Sequence, residues 1–497
     1  MKLFVASQIR ELDQATIIHE PIASIDLMQR AAQTLFEAFL KHYDTGHTVH
    51  IFAGNGNNGG DALVLARMLL YLGSSFDVRV YVFKDGKRSD DCQLSLEELA
   101  DDFLVHELES KADFPVISAE DVIVDGIFGT GLSRPVTHFP SQLIAYLNDS
   151  NAEIFSIDIP SGLFPEDNSK NDGAIVASDV IVSFQFPKIA FLLSDKSDFV
   201  GEWEVWDIGL HLPSIESMSS PLYLLEDVDL PALIKPRKKF SHKGSYGHAL
   251  LIAGQVGMMG AAILSTKACI RSGAGLVSTH LPQHSGDLLQ CTVPEALLSL
   301  DRSELMFTDE MDVEGYDAVG IGPGIGKRNN TQKALHHLLL HCNKPMVMDA
   351  DALNILSDHK EWLPLLAQDT ILTPHPKEFD RLTKVHHSAY ERWQSQLAFA
   401  QQYGVVVVLK GAHTSVALPD GRCYFNTTGN AGMASGGVGD VLTGIILGLL
   451  SQGYSAEAAA LLGVYWHGKA ADVYAESHLE QTLTASDIVD FMSQVEF

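Results

Sequence analysis

Short apolar runs recur along this chain, each too brief for a buried helix and most of them closed by a glycine-rich or polar turn. In the first half they lie at 49–53, 78–83, 122–124, 154–157 and 180–184. In the second half they lie at 249–253, 276–279, 318–321, 346–348, 370–372 and 405–409. Runs of this length fit strands buried on both faces, and helical stretches fill the gaps between them. The alternation confines the chain to α/β architecture, with parallel sheets covered by helices on both sides. The length of 497 residues exceeds one ordinary core, so two doubly wound domains are expected.

The rhythm breaks at 212–236, where Pro213, Pro221, Pro231 and Pro236 stand among Ser214, Ser217, Ser219 and Ser220. The expected organisation is a first domain over 1–215, a linker over 216–235 and a second domain over 236–497. A basic stretch at 235–239 reads as solvated linker. A first helix is expected from Ser7, with Ile9, Leu12, Ala15 and Ile18 at helical spacing, and a second over 27–42. The stretch 438–489 reads as almost entirely helical.

The formal net charge of -29 disfavours broad nucleic-acid binding. It does not exclude phosphate-bearing small molecules, because helix N-termini and glycine turns bind anions without Lys or Arg. Cys92, Cys269, Cys291, Cys342 and Cys423 are dispersed with no CxxC pair, which fits reduced thiols rather than a zinc or disulfide framework. Residues 1–10 carry no apolar signal core, and the apolar stretches 405–409 and 444–450 are far too short to span a bilayer. A cytoplasmic protein without membrane partners is expected.

The strongest motif of the first half is 53–61, AGNGNNGGD, between a strand and a helix. Glycines there let backbone amides approach a phosphate at a helix N-terminus. It is neither GxGxxG nor a Walker loop, which argues against a dinucleotide oxidoreductase. Two more strand-end turns, 124–132 (VDGIFGTGL) and 156–163 (SIDIPSGL), have the same character. In a doubly wound sheet such loops converge on one crevice, so Asn58, Asp125, Asp158 and Ser161 are expected to meet. Their oxygens suit an alkali or alkaline-earth cation.

These segments resemble the N-terminal YjeF-type domain, the NAD(P)H-hydrate epimerase, a Rossmann-like fold. The resemblance implies that Asn58, Asp125 and Ser161 ligate a potassium ion. It implies substrate contact by Asn57, Asn58, Gly59, Gly60, Asp61, Gly129, Thr130, Gly131, Leu132, Ser133, Arg134, Pro135 and Asp158, with Asp158 as the proton-handling group. Ala62 departs from the family, which usually has a third glycine there.

The strongest motif of the second half is 429–440, GNAGMASGGVGD, leading into an apolar helix. Gly436, Gly437 and Gly439 read as an anion nest, and Asp440 falls in the first helical turn. The helix dipole there is expected to hold Asp440 ionised with a low pKa, a weak base suited to orienting a hydroxyl for phosphoryl transfer. The element resembles the anion hole and catalytic aspartate of ribokinase-like kinases. With SHKGSYGHALLIAG, GPGIG, MDADAL, TPHPKEF and KGAHT in order, the half resembles the NAD(P)H-hydrate dehydratase domain. This implies substrate contact by Ala261, Gly324, His375 and Asp440. It implies adenine nucleotide contact by Lys410, Gly411, Ala412, His413, Thr414 and Gly439. Magnesium with ADP or ATP, catalysis by Asp440 and a homo-oligomer complete the expectation. Rival readings are a vitamin or sugar kinase in the second half and a non-catalytic dinucleotide-binding module in the first.

Overall fold

The computed structural model describes residues 1–496. They divide into two compact units, one of Leu3–Ser220 with Ser388–Tyr390, the other of Met1–Lys2 with most of the chain from Pro221 onward. The strands in chain order are β1 (Lys2–Leu3), β2 (Thr48–Ala53), β3 (Asp77–Phe83), β4 (Val105–Leu108), β5 (Val122–Gly126), β6 (Glu153–Ile157), β7 (Val180–Phe184), β8 (Glu202–Trp206) and β9 (Leu222–Leu225). They continue with β10 (His248–Ile252), β11 (Leu276–Leu281), β12 (Leu297–Leu300), β13 (Ala318–Ile321), β14 (Met346–Met348), β15 (Ile371–Leu372), β16 (Val406–Leu409), β17 (Thr414–Ala417) and β18 (Cys423–Asn426).

The first unit holds a seven-stranded sheet of order β4-β3-β2-β5-β6-β7-β8, parallel throughout. The chain winds one way from β2 to β4 and the other way from β5 to β8, so the switch point lies between β2 and β5. The second unit holds an eleven-stranded sheet of order β1-β9-β18-β17-β16-β15-β14-β13-β10-β11-β12. Its switch point lies between β10 and β13, which both pair in parallel with their neighbours. Both sheets are buried on both faces. Along β10, Ala249 and Leu251 enter one core cluster while Leu250 and Ile252 enter another. Along β2, Ile51 and Phe52 divide in the same way.

Every expected strand is present. The strands not expected are β1, β4, β8, β9, β12, β17 and β18. Of these, β4, β8 and β12 carry a single parallel neighbour in the sheet order. Edge strands are partly solvated, so they lack the continuous apolar signal. The segment 216–235, expected as linker, contains β9, which pairs in parallel with β18. The basic stretch 235–239 is exposed, as expected, with two of its cations tied to the fold. Lys235 Nζ donates to the Gly453 carbonyl at 2.5 Å, and the Arg237 guanidinium donates to the Gly273 carbonyl at 2.5 Å. Both carbonyls follow helix C-termini, whose negative ends attract cations.

Helices at Ala6–His19 and Ser24–His42 match the expected pair. On the first, Ile18 is 70% exposed, while Leu12 and Thr16 are the buried face. A polar residue buries there because Thr16 Oγ1 both donates to the Leu12 carbonyl and accepts from the His211 amide. The closing stretch forms helices Val438–Ser451, Ala456–Ala475 and Ala485–Phe491. No helix among the described residues is long and apolar enough to cross a membrane.

Candidate active sites

In the first unit the glycine motif is mostly helix rather than turn, because helix Asn57–Tyr71 starts inside it. Close approach is the reason for its glycines. A Cβ on Gly54 would lie 1.8 Å from the Ile127 carbonyl oxygen, and one on Gly59 would lie 2.0 Å from that of Gly54. The Gly54 amide donates to the Gly126 carbonyl at 3.0 Å, which binds the β2 loop to the β5 loop at the switch point. Ala62 is fully buried, and its methyl lies 2.5 Å from where a Cβ on Gly126 would stand. The missing third glycine of the motif is thus offset by a glycine on the facing strand.

Asn58, Asp125 and Ser161 come together as expected. Ser161 donates to Asp125 through its hydroxyl at 2.5 Å and its amide at 2.8 Å. Ser156 Oγ donates to the same carboxylate at 3.0 Å. The Phe128 amide donates to Ser161 Oγ at 2.7 Å, and Asn58 Nδ2 donates to the Phe128 carbonyl at 3.3 Å. Asp125 is fully buried, and burial pushes its pKa up despite these donors. Among the described residues it has no ion-pair partner. A buried carboxylate beside a backbone carbonyl, a hydroxyl and a side-chain amide is a donor set that fits a monovalent cation. Gly129 packs against the Asn58 side chain, and Gly131, Ser133 and Arg134 are exposed beyond it with Thr130, Leu132 and Pro135 half-buried.

Asp158 follows β6 in a left-handed conformation, φ 64°, rare for a residue other than glycine and typical of functional sites. Its carboxylate accepts from Lys188 Nζ at 2.6 Å and the Phe184 amide at 3.0 Å. Lys188 is the partner that sequence reasoning missed. Its ammonium also donates to Ser183 Oγ at 2.9 Å and the Phe186 carbonyl at 3.0 Å. The available signal was a lysine just past an apolar strand. Two further carboxyls share this field. Burial, then the charge of Asp158, pushes Asp61 well up and raises Asp13 to about 6. Asp13 on the first helix was not foreseen.

In the second unit, the residues expected to hold nucleotide line one cavity of about 790 Å³. Its walls include Lys410, Gly411, Ala412, His413, Thr414 and Gly439, and His375 joins them. Gly437 caps the apolar helix Val438–Ser451 with φ 91°, a conformation that favours glycine. Lys410 Nζ donates to Asp349 at 2.9 Å, and Asp349 also accepts from Thr443 Oγ1 at 2.7 Å and the Ala350 amide at 2.8 Å. His375 caps helix Pro376–Leu382, its Nδ1 accepting from the Lys377 and Glu378 amides. That role puts the ring proton on Nε2, and burial lowers its pKa, favouring the neutral ring.

Asp440 occupies the first turn as expected, but its pKa is raised to about 7, by burial first and the Asp349 charge second. The expected low value is corrected: a half-charge helix dipole is outweighed when a carboxyl loses water beside another carboxylate. Ala261 and Gly324 meet at the β10–β13 switch point. A Cβ on Gly324 would lie 3.3 Å from that of Ala261, and the Gly254 amide donates to the Pro323 carbonyl at 2.8 Å. His467 was not foreseen. It lines the cavity, bonds the Val438 carbonyl, and burial drops its pKa to about 4.

Two doubly wound units, each with a glycine loop at its switch point and an aspartate–lysine pair at its strand ends, define a two-centre α/β enzyme. Residues 249–494 match the family described as NAD(P)H-hydrate dehydratase, and residues 24–190 match the YjeF-related protein N-terminus. The bifunctional NAD(P)H-hydrate repair enzyme of Moorella thermoacetica is 33% identical over 100% of this chain and 96% of its own length. That of Coxiella burnetii is 33% identical over 98% and 97%, and that of Escherichia coli 33% over 95% and 89%. The chain belongs to the family of bifunctional NAD(P)H-hydrate repair enzymes. Among solved structures, the ADP/ATP-dependent NAD(P)H-hydrate dehydratase of Bacillus subtilis, co-crystallised with ATP/Mg2+, is 34% identical, covering 55% of this chain and 96% of that one at a TM-score of 0.49.

Proposed function

We propose that the first unit interconverts the epimers of hydrated NADH and NADPH, and that the second returns the S hydrate to NAD(P)H at the expense of ADP or ATP. The observation that carries the dehydratase reading is the convergence of Lys410–Thr414, Gly439 and His375 on one cavity at the start of the helix that bears Asp440.

In the second unit, Lys410 and the amides of the 436–439 turn hold the nucleotide phosphates. Magnesium, when bound, neutralises phosphate charge. Asp440 orients the hydrate hydroxyl and takes its proton as the oxygen attacks the terminal phosphorus. The ring nitrogen lone pair then expels phosphate, breaking the carbon–oxygen bond to leave an iminium, and loss of a proton from the adjacent ring carbon to solvent restores the dihydropyridine. Neutral His375 offers Nε2–H as a donor, and Ala261 and Gly324 leave room for the cofactor. In the first unit, Asp158 moves the proton, backed by Lys188. Asn58, Asp125 and Ser161 would hold potassium, which supplies positive charge beside the cofactor. Asn57–Asp61 and Gly129–Pro135 form its binding loops. The free, mostly buried cysteines support a cytoplasmic setting, and a homo-oligomer is part of the reading.

The test is hydrated NADH as an epimer mixture, with protein, Mg2+, K+ and either ADP or ATP, followed at the reduced-nicotinamide band. Recovery running past one epimer's share to near completion is expected with one nucleotide. Recovery stopping at that share would remove the epimerase, and none at all would leave a small-molecule kinase.

A further inference from the structure

The chain carries 63 acidic and 34 basic residues, yet four cations gather around one cavity with no carboxylate among the described residues paired to any of them. The cavity, about 910 Å³ and separate from the one lined by Lys410, has Lys235, Arg237, Lys267 and Arg271 in its walls. Lys235 and Arg237 are held by the Gly453 and Gly273 carbonyls and by the Tyr454 and Tyr246 rings, at 4.6 and 4.0 Å. The side chains of Lys267 and Arg271 make no ion pair or hydrogen bond among the described residues. They stand four apart on helix Met259–Arg271, where like charges repel across one turn. Glu295 and Asp490 also line the cavity but form no ion pair among the described residues.

The helices that wall this cavity are those that serve the reaction site. Helix Met259–Arg271 begins beside Ala261 and ends at Arg271. Helix Val438–Ser451 begins beside Asp440 and reaches the cavity at Leu449. They pack through glycines: a Cβ on Gly444 would lie 2.2 Å from the Ser265 carbonyl oxygen, and one on Gly448 would lie 1.9 Å from Ser272 Oγ. One end of the pair is the proposed phosphate site, and the other end is lined with side-chain cations. Ile270, Val293, Leu449 and Leu462 add apolar wall.

The geometry points to a second small-molecule site in the C-terminal unit, taking a phosphate ester with an apolar body between Lys235–Arg237 and Lys267–Arg271. Its volume is that of a small-ligand pocket, and its mixed lining fits such an amphiphile. The site is independent of the repair reaction, and its test reads binding rather than turnover.

Protein saturated with Mg2+ and a non-hydrolysable ATP analogue, to fill the Lys410 cavity, is titrated calorimetrically at low salt with 1-naphthyl phosphate and with inorganic phosphate. The control is the Lys267→Met, Arg271→Met double variant, which keeps the apolar stems and should fold, since it removes a like-charge pair. Expected is one site per chain in the wild type, weakened about tenfold or more in the variant and by added salt. Naphthyl phosphate should bind more tightly than inorganic phosphate. Equal affinity in both proteins, or no binding, overturns the proposal. So does a wild type that binds neither probe but changes oligomeric state on substitution, which would assign the cavity to a second copy of the chain.

Discussion

Each unit sets a buried aspartate–lysine pair at the ends of its strands, and the two pairs are built the opposite way round. In the first unit the lysine is inside: the Lys188 side chain is 1% exposed and Asp158 is 13% exposed. In the second the carboxylate is inside: Asp349 is 2% exposed and Lys410 is 21% exposed. The same ion pair thus leaves the carboxylate the more exposed member in one unit and the ammonium in the other. A carboxylate suits moving a proton on a substrate, and an ammonium suits holding phosphate. Both pairs are pinned by a left-handed residue at a strand end, Asp158 itself and Ala350 next to Asp349.

The largest test of this contrast separates the centres. Asp440→Asn should lower dehydration by about 10²- to 10⁴-fold and leave epimer exchange, followed by NMR, unchanged. Asp158→Asn should do the reverse; parallel loss of both activities in either variant breaks the picture of two centres.

Next comes removal of each lysine. Lys188→Met leaves Asp158 with the Phe184 amide alone. Epimer exchange should fail, and denaturant melts should show a loss approaching about 3–5 kcal/mol, as for a broken buried pair. Lys410→Met leaves Asp349 with Thr443 Oγ1 and the Ala350 amide. Its stability loss should be smaller, about 1–3 kcal/mol, with the main effect a raised KM for nucleotide. Equal stability losses would show that orientation of the pair is irrelevant.

Gly126→Ala should cost about 1–3 kcal/mol by crowding Ala62, and Ala62→Gly in the same chain should recover most of it. Failure of that rescue would mean that the 62–126 contact does not set the spacing of the β2 and β5 loops.

The smallest effect is on pH dependence. Asp440 acts ionised, so kcat/KM for dehydration should rise with pH through a midpoint near 7, its raised value, and level off above. Asp349→Asn removes the like charge and should move that midpoint to lower pH. An unmoved midpoint would assign the titration to another group.

Much of this was legible in the chain. Central strands such as 49–53 and 249–253 are continuous apolar runs because both faces are buried. Glycine turns at 54–60 and 436–439 stand out because close backbone approach leaves no room for a Cβ there. Strands such as Glu202–Trp206 and Leu297–Leu300 were hidden because solvent on one side dilutes the apolar signal. Lys188 and Asp13 were missed for a different reason: a lysine after a strand and an aspartate on an amphipathic helix have ordinary exposed readings.

The sequence by itself determined two α/β units, their parallel central strands, their switch-point loops and the polar residues on those loops, since these follow from local periodicity and from glycine; the antiparallel pairing of β16, β17 and β18 was not legible in it. The tertiary structure decided what those residues are chemically. It turned Lys188 inward and Lys410 outward, joined Asp13 to Asp158 across the fold, and raised Asp440 against the pull of its own helix. Charge state depends on lost water and on neighbours distant in sequence, and only packing brings those together.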